Sequence, residues 1–331
     1  MAEVRRVVCR SIGSPAELVV EETPELAVRP GHVVIAVTAA GVNFTDLLMT
    51  GGRYQDQHTT PFVPGSEVAG TIVRSGAGVD AGLLGTRVLA VCRTGGFADE
   101  VMMPADQVVA VPDSVDLDAA AAFPIAFGTA YRALVDRAGL RPGERLLVLG
   151  SSGALGTAAV SVGGAVGAEV FVAGADAARM ASAVRAGAVA VVAPDPADLV
   201  TQWRQLRGRE GVDVVIDAVG GGWGTQAQRI LSEDGRYVVV GYASGEFPAI
   251  AANRLLMRNL TVHGVFGGPF LNPNNASQSA AVDVLIDGLA QGRWGPHIAR
   301  RLPLDQASAA LVELESRAHQ GRILLMMGQT T

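Results

Sequence analysis

Lysine is absent from the 331 residues, so all 26 basic residues are arginine. We read that gap as codon usage in a GC-rich genome rather than as chemistry, and it bears on one arginine below. Aromatic residues make up 5% of the chain and charged residues 18%, against 49% hydrophobic, a balance that excludes a disordered chain. There is no basic run, and the net charge is −6, which excludes a dedicated nucleic-acid binder. Two cysteines, Cys9 and Cys92, are too few for a disulfide framework or a four-thiolate zinc site, and read as buried thiols of a cytoplasmic protein. The start, MAEVRRVVCR, lacks an apolar core of signal-peptide length and alternates like a strand. Residues 146–168 carry no charge and are long enough to cross a bilayer, but they hold Gly150, Gly153, Gly156, Gly163, Gly164 and Gly167. That composition suits a buried strand, turn and helix, so a soluble protein without a membrane segment is expected.

The length suggests two domains. The first third is β-rich, with β-branched runs at residues 4–10, 18–22, 32–40, 68–74, 87–91, 98–103 and 108–111. A short helix is predicted over 44–50, ended by Gly51-Gly52. Short strands separated by Gly, Pro and Asp predict a compact, mostly antiparallel barrel. Near Leu117 the character changes: helices are predicted over 118–123 and 128–138, after which strands and helices alternate. Strands are predicted at 146–149, 170–173, 189–192, 212–216, 237–240 and 260–265, with helices at 153–166, 177–185, 199–206 and 224–231. Unbroken apolar strands between amphipathic helices indicate a parallel sheet covered on both faces, a doubly wound nucleotide fold. Beyond Gly267-Gly268-Pro269, helices at 280–291 and 304–317 and a strand at 322–326 are expected to pack back on the barrel.

The most informative local pattern is Leu146-Leu147-Val148-Leu149-Gly150-Ser151-Ser152-Gly153-Ala154-Leu155-Gly156. Gly150 permits a tight turn, Gly153 lets backbone approach a pyrophosphate, and Gly156 allows close helix–strand packing. The anion would face the free N–H groups and positive dipole of the following helix. The spacing is GxxGxxG rather than GxGxxG, so the alternating context carries much of the reading. At the end of the second strand, Ala173 and Gly174 leave a neutral, small place where an NAD-preferring fold sets a carboxylate. That leaves room for a 2′-phosphate, and Arg179 is a candidate bidentate partner for it, or else a solvated helix residue. Asp176 reads either as a helix cap or as a ribose ligand, with capping preferred.

Several segments together resemble zinc-independent medium-chain dehydrogenases/reductases, the NADPH:quinone oxidoreductase-like group. They are AAGVNFTDLLMTGGRY, PFVPGSEVAGTIV, GTAYRALVDRAGLRPGERLLVLGSSGALGTAAV, DVVIDAVGG, LLMRNLTVHGVFGG and PLDQASAALVELESRAHQGRILL, which run in order along nearly the whole chain. The resemblance implies an α/β protein with a GroES-like β-barrel catalytic domain from residues 1–123 and 266–331. A Rossmann domain with a doubly wound parallel sheet, residues 124–265, would bind NADP(H), with a cleft between the two. It also implies a homodimer that pairs through the last Rossmann strand, around 259–265. It places Asn43 near the nicotinamide ribose, where zinc-dependent relatives carry a cysteine ligand, and Ser66 where they carry histidine. The four-cysteine structural zinc lobe is missing too, and His32, His58, His263, His297 and His319 show no metal spacing, so no metal is expected. Arg179 takes the family's 2′-phosphate lysine position, easily accepted in a chain without lysine; Ala193-Pro194 departs from a tyrosine often found beside the adenosine. Gly241-Tyr242-Ala243 and Val265-Phe266-Gly267 match segments lining the nicotinamide half of the cofactor. Thr129 and Arg322 complete the cofactor-binding set, and Tyr54 matches a pocket tyrosine that reads equally well as aromatic packing.

Without a metal to polarise an alcohol or plain ketone, the acceptor is expected to be electron-poor already: a quinone or an α,β-unsaturated carbonyl. The expected cofactor is NADPH rather than NADH. Catalytic candidates are Asn43 and Tyr54, the latter or water completing protonation. An enoyl-thioester reductase, acting on enoyl-CoA or a polyketide, is the alternative, with Arg53, Arg74 and Arg93 offering a basic entrance. A non-catalytic, crystallin-like NADPH-binding protein is the rival of another class. A serine hydrolase is excluded by the lack of a GxSxG elbow.

Overall fold

Apolar, largely β-branched runs give the first third of the chain its strands, the central ones buried along most of their length, and the glycines between them, Gly13, Gly31, Gly78 and Gly85 at positive φ, give the turns. The computed structural model describes residues 3–54, 58–268, 270, 272–276, 278–316 and 320–328. Arg317, the expected end of the last helix, and His319 lie outside the described residues. The chain divides into two units: Met1–Ile125 with Pro269–Gly292 and Pro296–Thr331, and Ala126–Gly268 with Arg293–Gly295.

In the first unit, β1 (Glu3–Val8) pairs antiparallel with β2 (Val19–Pro24). Next come β3 (His32–Gly41), α1 (Phe44–Thr50), β4 (Glu67–Ser75), β5 (Arg87–Val91), β6 (Glu100–Pro104), β7 (Val108–Ala110) and α2 (Leu117–Ala121). β3 is central, bonded antiparallel to β4 and β6, and β4 continues through β5 to β7. Val33, Ile35, Ile72 and Leu47 are 1% exposed or less and pack into this unit's core.

The chain then enters α3 (Pro124–Tyr131), which passes into a π-helical stretch, Arg132–Arg137, closed by Ala138 N–H donating to the Ala133 carbonyl at 3.0 Å. The helices predicted at 118–123 and 128–138 therefore fall differently. Proline at the first position of α3 sets a new start, because its missing N–H costs nothing there.

The second unit alternates strands and helices: β8 (Arg145–Leu149), α4 (Ala154–Val166), β9 (Glu169–Gly174), α5 (Ala177–Arg185), β10 (Val189–Val192) and α6 (Leu199–Arg207). It continues with β11 (Val212–Asp217), α7 (Gly221–Ala227), β12 (Leu231–Val239), α8 (Ala252–Arg258) and β13 (Thr261–Gly264). Among the described residues the sheet order is β10-β9-β8-β11-β12-β13, every pair parallel. In order of appearance that is 3-2-1-4-5-6, the Rossmann arrangement. Leu147, Phe171, Trp203, Val215 and Tyr237 fill its core, with the Phe171 and Trp203 rings edge to face at 4.8 Å.

The chain returns to the first unit with α9 (Ser279–Ala290), β14 (Ile298–Pro303), α10 (Ala307–Ser316) and β15 (Arg322–Met326). β15 lies parallel to β14 and antiparallel to β3, so the expected return onto the barrel is made through main-chain pairing. Neither β14 nor α8 was expected. The helix predicted at 224–231 starts earlier, at Gly221, and residue 231 belongs instead to the nine-residue β12.

Candidate functional site

In the second unit, the glycine-rich turn follows β8, buried from Leu146 to Leu149. Gly150 has φ +83°, and Gly153 N–H donates to the Gly150 carbonyl at 3.2 Å, closing the turn. Gly153 is the N-cap of α4, exposed and in extended conformation. Thr157 N–H is bonded to the Gly153 carbonyl at 2.9 Å. The amides of Ala154, Leu155 and Gly156 therefore precede the helical ladder and sit at the positive end of a 13-residue helix. A side chain at Gly156 would collide with the Gly150 carbonyl and lie 2.6 Å from Ser151 Cα, whereas one at Gly153 would meet nothing closer than 3.7 Å. Gly156 thus packs on the turn itself, which corrects the helix–strand role expected for it. That contact belongs to Gly163, where a Cβ would strike Leu146 on β8 and lie 3.2 Å from Val170 on β9.

Gly174 ends β9, and a Cβ there would only touch Met180 Sδ, at 3.5 Å. Asp176 caps α5, its Oδ1 accepting from Ala178 N–H at 2.8 Å, as preferred for it. Arg179 is exposed on the first turn of α5. The segment after β12 is held to the one after β11: Gly241 N–H donates to the Asp217 carbonyl (3.2 Å), Ala243 N–H to Ala218 (3.0 Å) and Ser244 N–H to Val219 (2.9 Å). Asp217, fully buried, accepts from Val219 N–H (2.7 Å), Gly220 N–H (2.8 Å) and the Tyr237 hydroxyl, so it braces the whole loop. Sequence reading passed over Asp217 within DVVIDAVGG; an acidic residue closing an apolar strand was the available signal. Val265 N–H bonds to Val239, Phe266 is 74% exposed, and Gly268 leaves room for the Gly128–Thr129 backbone. The turn, Gly174, Gly241–Ala243 and Val265 thus all lie beyond the carboxyl ends of parallel strands, where open α/β sheets bind ligands.

The first unit assembles a different kind of centre. Asn43 opens α1, and its N–H donates to Asp46 Oδ2 at 2.8 Å. Asn43 Nδ2 donates to Glu67 Oε1 (2.9 Å), and Asn43 Oδ1 accepts from Arg322 Nη1 (2.9 Å). Arg322 Nη2 donates to Glu67 Oε1, and Glu67 Oε2 accepts from Ile125 N–H at 2.8 Å. Pairing of β15 with β3 brings Arg322 here, and only glycine fits at Gly41, where a Cβ would overlap Glu67 and approach Arg322 Nη2 to 2.7 Å. Arg322 is 4% exposed and Glu67 0%.

Asp46 is also fully buried and accepts from Ser66 Oγ. Burial pushes its carboxyl up to about 7; the Ser66 and Asn43 hydrogen bonds oppose that rise, the Glu67 charge adds to it, and Arg322 opposes it. Burial, with help from the Asp46 charge, pushes the Cys92 thiol up to about 12. Tyr54 follows α1 at the end opposite Asn43, its N–H bonded to the Leu48 carbonyl at 3.1 Å.

This donor set does not fit zinc, which takes thiolate, imidazole or free carboxylate. Here an amide and a hydroxyl stand at Asn43 and Ser66, the thiol of Cys92 holds its proton, and the Glu67 carboxylate already faces a guanidinium. Among the described residues no group of three His, Cys, Asp or Glu side chains is placed to hold a metal.

Comparison with known proteins agrees with both units. A profile described as alcohol dehydrogenase GroES-like domain matches residues 29–113, and one described as zinc-binding dehydrogenase matches residues 154–284. Quinone oxidoreductase-like protein 2 of Bos taurus is 33% identical over 324 residues, covering 98% of this chain and 92% of the relative. The chain belongs to the medium-chain dehydrogenases/reductases. Within them it is quinone oxidoreductase-like, and it is an oxidoreductase of the medium-chain type. The crystal structure of the quinone oxidoreductase from Thermus thermophilus, solved also with NADPH, is 32% identical with a TM-score of 0.82, covering 97% of this chain and 99% of that one. A 214-residue stretch is 37% identical to the polyketide synthase GfsB of Streptomyces halstedii, covering 64% of this chain and 4% of that protein. The fold is a GroES-like unit plus a Rossmann-like parallel sheet. No helix among the described residues is long and apolar enough to cross a membrane.

Proposed function

We propose that this medium-chain reductase is a metal-independent, NADPH-dependent oxidoreductase that reduces a quinone or an α,β-unsaturated carbonyl. The observation that carries the reading is the first unit's buried centre: an amide at Asn43 and a hydroxyl at Ser66 stand where zinc-dependent relatives place metal ligands, and the neighbouring Glu67 carboxylate is held by Arg322. An acceptor reduced there must bring its own electrophilicity, as quinones and enones do. Bound NADPH supplies the hydride. The Ala154, Leu155 and Gly156 amides would hold its pyrophosphate, and open Gly153 would let backbone approach it. Gly174 leaves space for a 2′-phosphate that Arg179 neutralises. Thr129, Ser152, Gly241–Ala243 and Val265–Gly267 would line the rest of the cofactor, and Asn43 and Tyr54 are assigned to the reacting end.

NADPH bound by the Thermus thermophilus relative supports this choice of cofactor. Arg179→Ala is expected to raise KM for NADPH about tenfold with little change for NADH, measured by initial rates; equal changes would remove the phosphate role. A screen of NADPH oxidation with 1,4-benzoquinone, 9,10-phenanthrenequinone, simple enones and crotonyl-thioesters tests the substrate class. Cofactor binding without oxidation of any acceptor would instead favour a non-catalytic NADPH-binding protein.

Likeness to a polyketide synthase favours a second reading, an enoyl-thioester reductase. The basic entrance it needs is weakened, because Arg53 pairs with Glu315 (3.1 Å) and Arg74 with Glu100. We also propose a cytoplasmic homodimer joined through β13, an edge strand beside exposed Leu256, Met257 and Phe266.

A further inference from the structure

The loops that the second unit offers to the nicotinamide half of the cofactor are tied together by one buried carboxylate. Asp217 closes β11 and Tyr237 lies on the neighbouring strand β12, both fully buried. Asp217 Oδ1 accepts from Val219 N–H (2.7 Å) and Gly220 N–H (2.8 Å) of its own loop, while Oδ2 accepts from the Tyr237 hydroxyl. Its main-chain carbonyl accepts from Val240 N–H (2.9 Å) and Gly241 N–H (3.2 Å), in the segment after β12. Ala243 N–H to Ala218, Ser244 N–H to Val219 and Gly221 N–H to the Glu246 carbonyl (2.9 Å) extend this clasp beyond the sheet.

Glycine at 224 makes room for the pair: a Cβ there, on α7, would overlap both Asp217 Oδ2 and the Tyr237 oxygen and lie 2.9 Å from Pro248. Burial and the Asp217 charge both push the Tyr237 hydroxyl up, so it stays a donor. Without that donor, Asp217 Oδ2 would be a buried acceptor left unpaired, which holds the carboxylate to the one orientation that satisfies both of its oxygens.

We propose that Tyr237, acting through Asp217, is a positioning residue for the nicotinamide half of NADPH: their hydrogen bond fixes the loop after β11 and, through it, the aim of the Gly241–Ala243 backbone. The inference rests on the reading of this chain as an NADPH-dependent reductase whose cofactor these segments line. The sheet order says which half of the cofactor should feel it. β11 and β12 lie on one side of β8, and β9, whose end carries Gly174 and leads to Arg179, lies on the other. Val219 packs on the turn between them, its Cγ2 3.0 Å from where a Cβ at Gly150 would stand. Hydride transfer tolerates little misplacement of the nicotinamide, so a loosened clasp costs rate as well as affinity.

The test uses the full-length protein with NADPH and with adenosine 2′,5′-bisphosphate, which carries the 2′-phosphate but no nicotinamide. Tyr237→Phe keeps the ring and removes the donor. It should raise Kd for NADPH about tenfold, lower kcat with a quinone about tenfold, and leave Kd for the bisphosphate within about twofold. In Asp217→Asn the amide oxygen still accepts from Val219 and Gly220 while its N–H faces the Tyr237 oxygen, so both ligands should bind within about threefold of the parent. Should Tyr237→Phe not fold, Gly224→Ala, which presses on the same pair from α7, carries the same expectation. Equal loss of both ligands, loss of neither, or an Asp217→Asn variant as impaired as Tyr237→Phe would each overturn the positioning role alone. A folded parent that binds neither ligand would overturn the cofactor reading and the positioning role with it.

Discussion

The two units build their sites from opposite materials. The second unit uses backbone: a turn at Gly150, open space at Gly153 and helix amides at residues 154–156, with no charged side chain in the turn. The first unit uses buried ionisable side chains: the Glu67–Arg322 ion pair and the neighbouring Asp46 carboxyl, gathered around Asn43 from segments up to 279 residues apart. A backbone site is cheap to keep, because its polar groups are those that any strand–turn–helix leaves unpaired. A buried ionic site is stable only while every partner is present, because each lost partner strands a charge away from water. One site should therefore fail by shape and the other by charge.

The largest expected effect tests the charge side. Arg322→Met leaves Glu67 buried without its cation and should cost roughly 3–5 kcal/mol of unfolding free energy in urea titration. Adding Glu67→Gln should recover much of that loss; a double variant as unstable as the single one would mean that packing, not charge, is what Arg322 supplies.

The next effect is a pH dependence. Asp46 has an ordinary value of 3.8 and stands near 7 in the fold, so it stays protonated in the folded chain while the unfolded chain has already ionised. Its contribution to stability is complete below about pH 4 and is lost as pH rises to about 7, on the order of 3–4 kcal/mol across that window. Asp46→Asn should remove this slope when unfolding is followed from about pH 4 to about pH 7, and an unchanged slope would place the ionisation elsewhere.

The smallest effect tests shape. Gly156→Ala forces a methyl against the Gly150 carbonyl and should weaken NADPH binding about 10- to 100-fold. Gly153→Ala meets no protein atom within 3.7 Å, so it should leave the melting temperature unchanged and weaken only cofactor binding. Equal loss of stability in both variants would erase the distinction between a packed and an open glycine.

These contrasts also account for what the sequence made legible. Local signals located α1 and α5 to the residue, and put the start of α4 one residue away, because Gly51-Gly52, Asp176 and Gly150–Gly153 are caps and turns within a few residues of what they control. β14 was invisible: IARRLP carries two adjacent arginines that pair outward with Glu313 and Asp118, so it shows no apolar alternation. α8 was invisible because Leu256 and Met257 are exposed and only the partly buried Leu255 packs its apolar side against the core. The π-helical stretch kept a helical residue pattern while its hydrogen bonds shifted, which composition does not reveal. The ionic cluster was half read. Asn43 and Arg322 were both singled out, but their meeting at Glu67 depends on Leu324 pairing with Gly41, a register set by tertiary structure. Asp46 was missed, though a carboxylate among Leu47, Met49 and other buried α1 residues was a signal in plain view.

The most direct test of the central claim is the rate of NADPH oxidation with a quinone or an enone before and after exhaustive chelation. Undiminished oxidation by the chelated protein is the predicted result. A protein left inactive by chelation and revived by added zinc would contradict it.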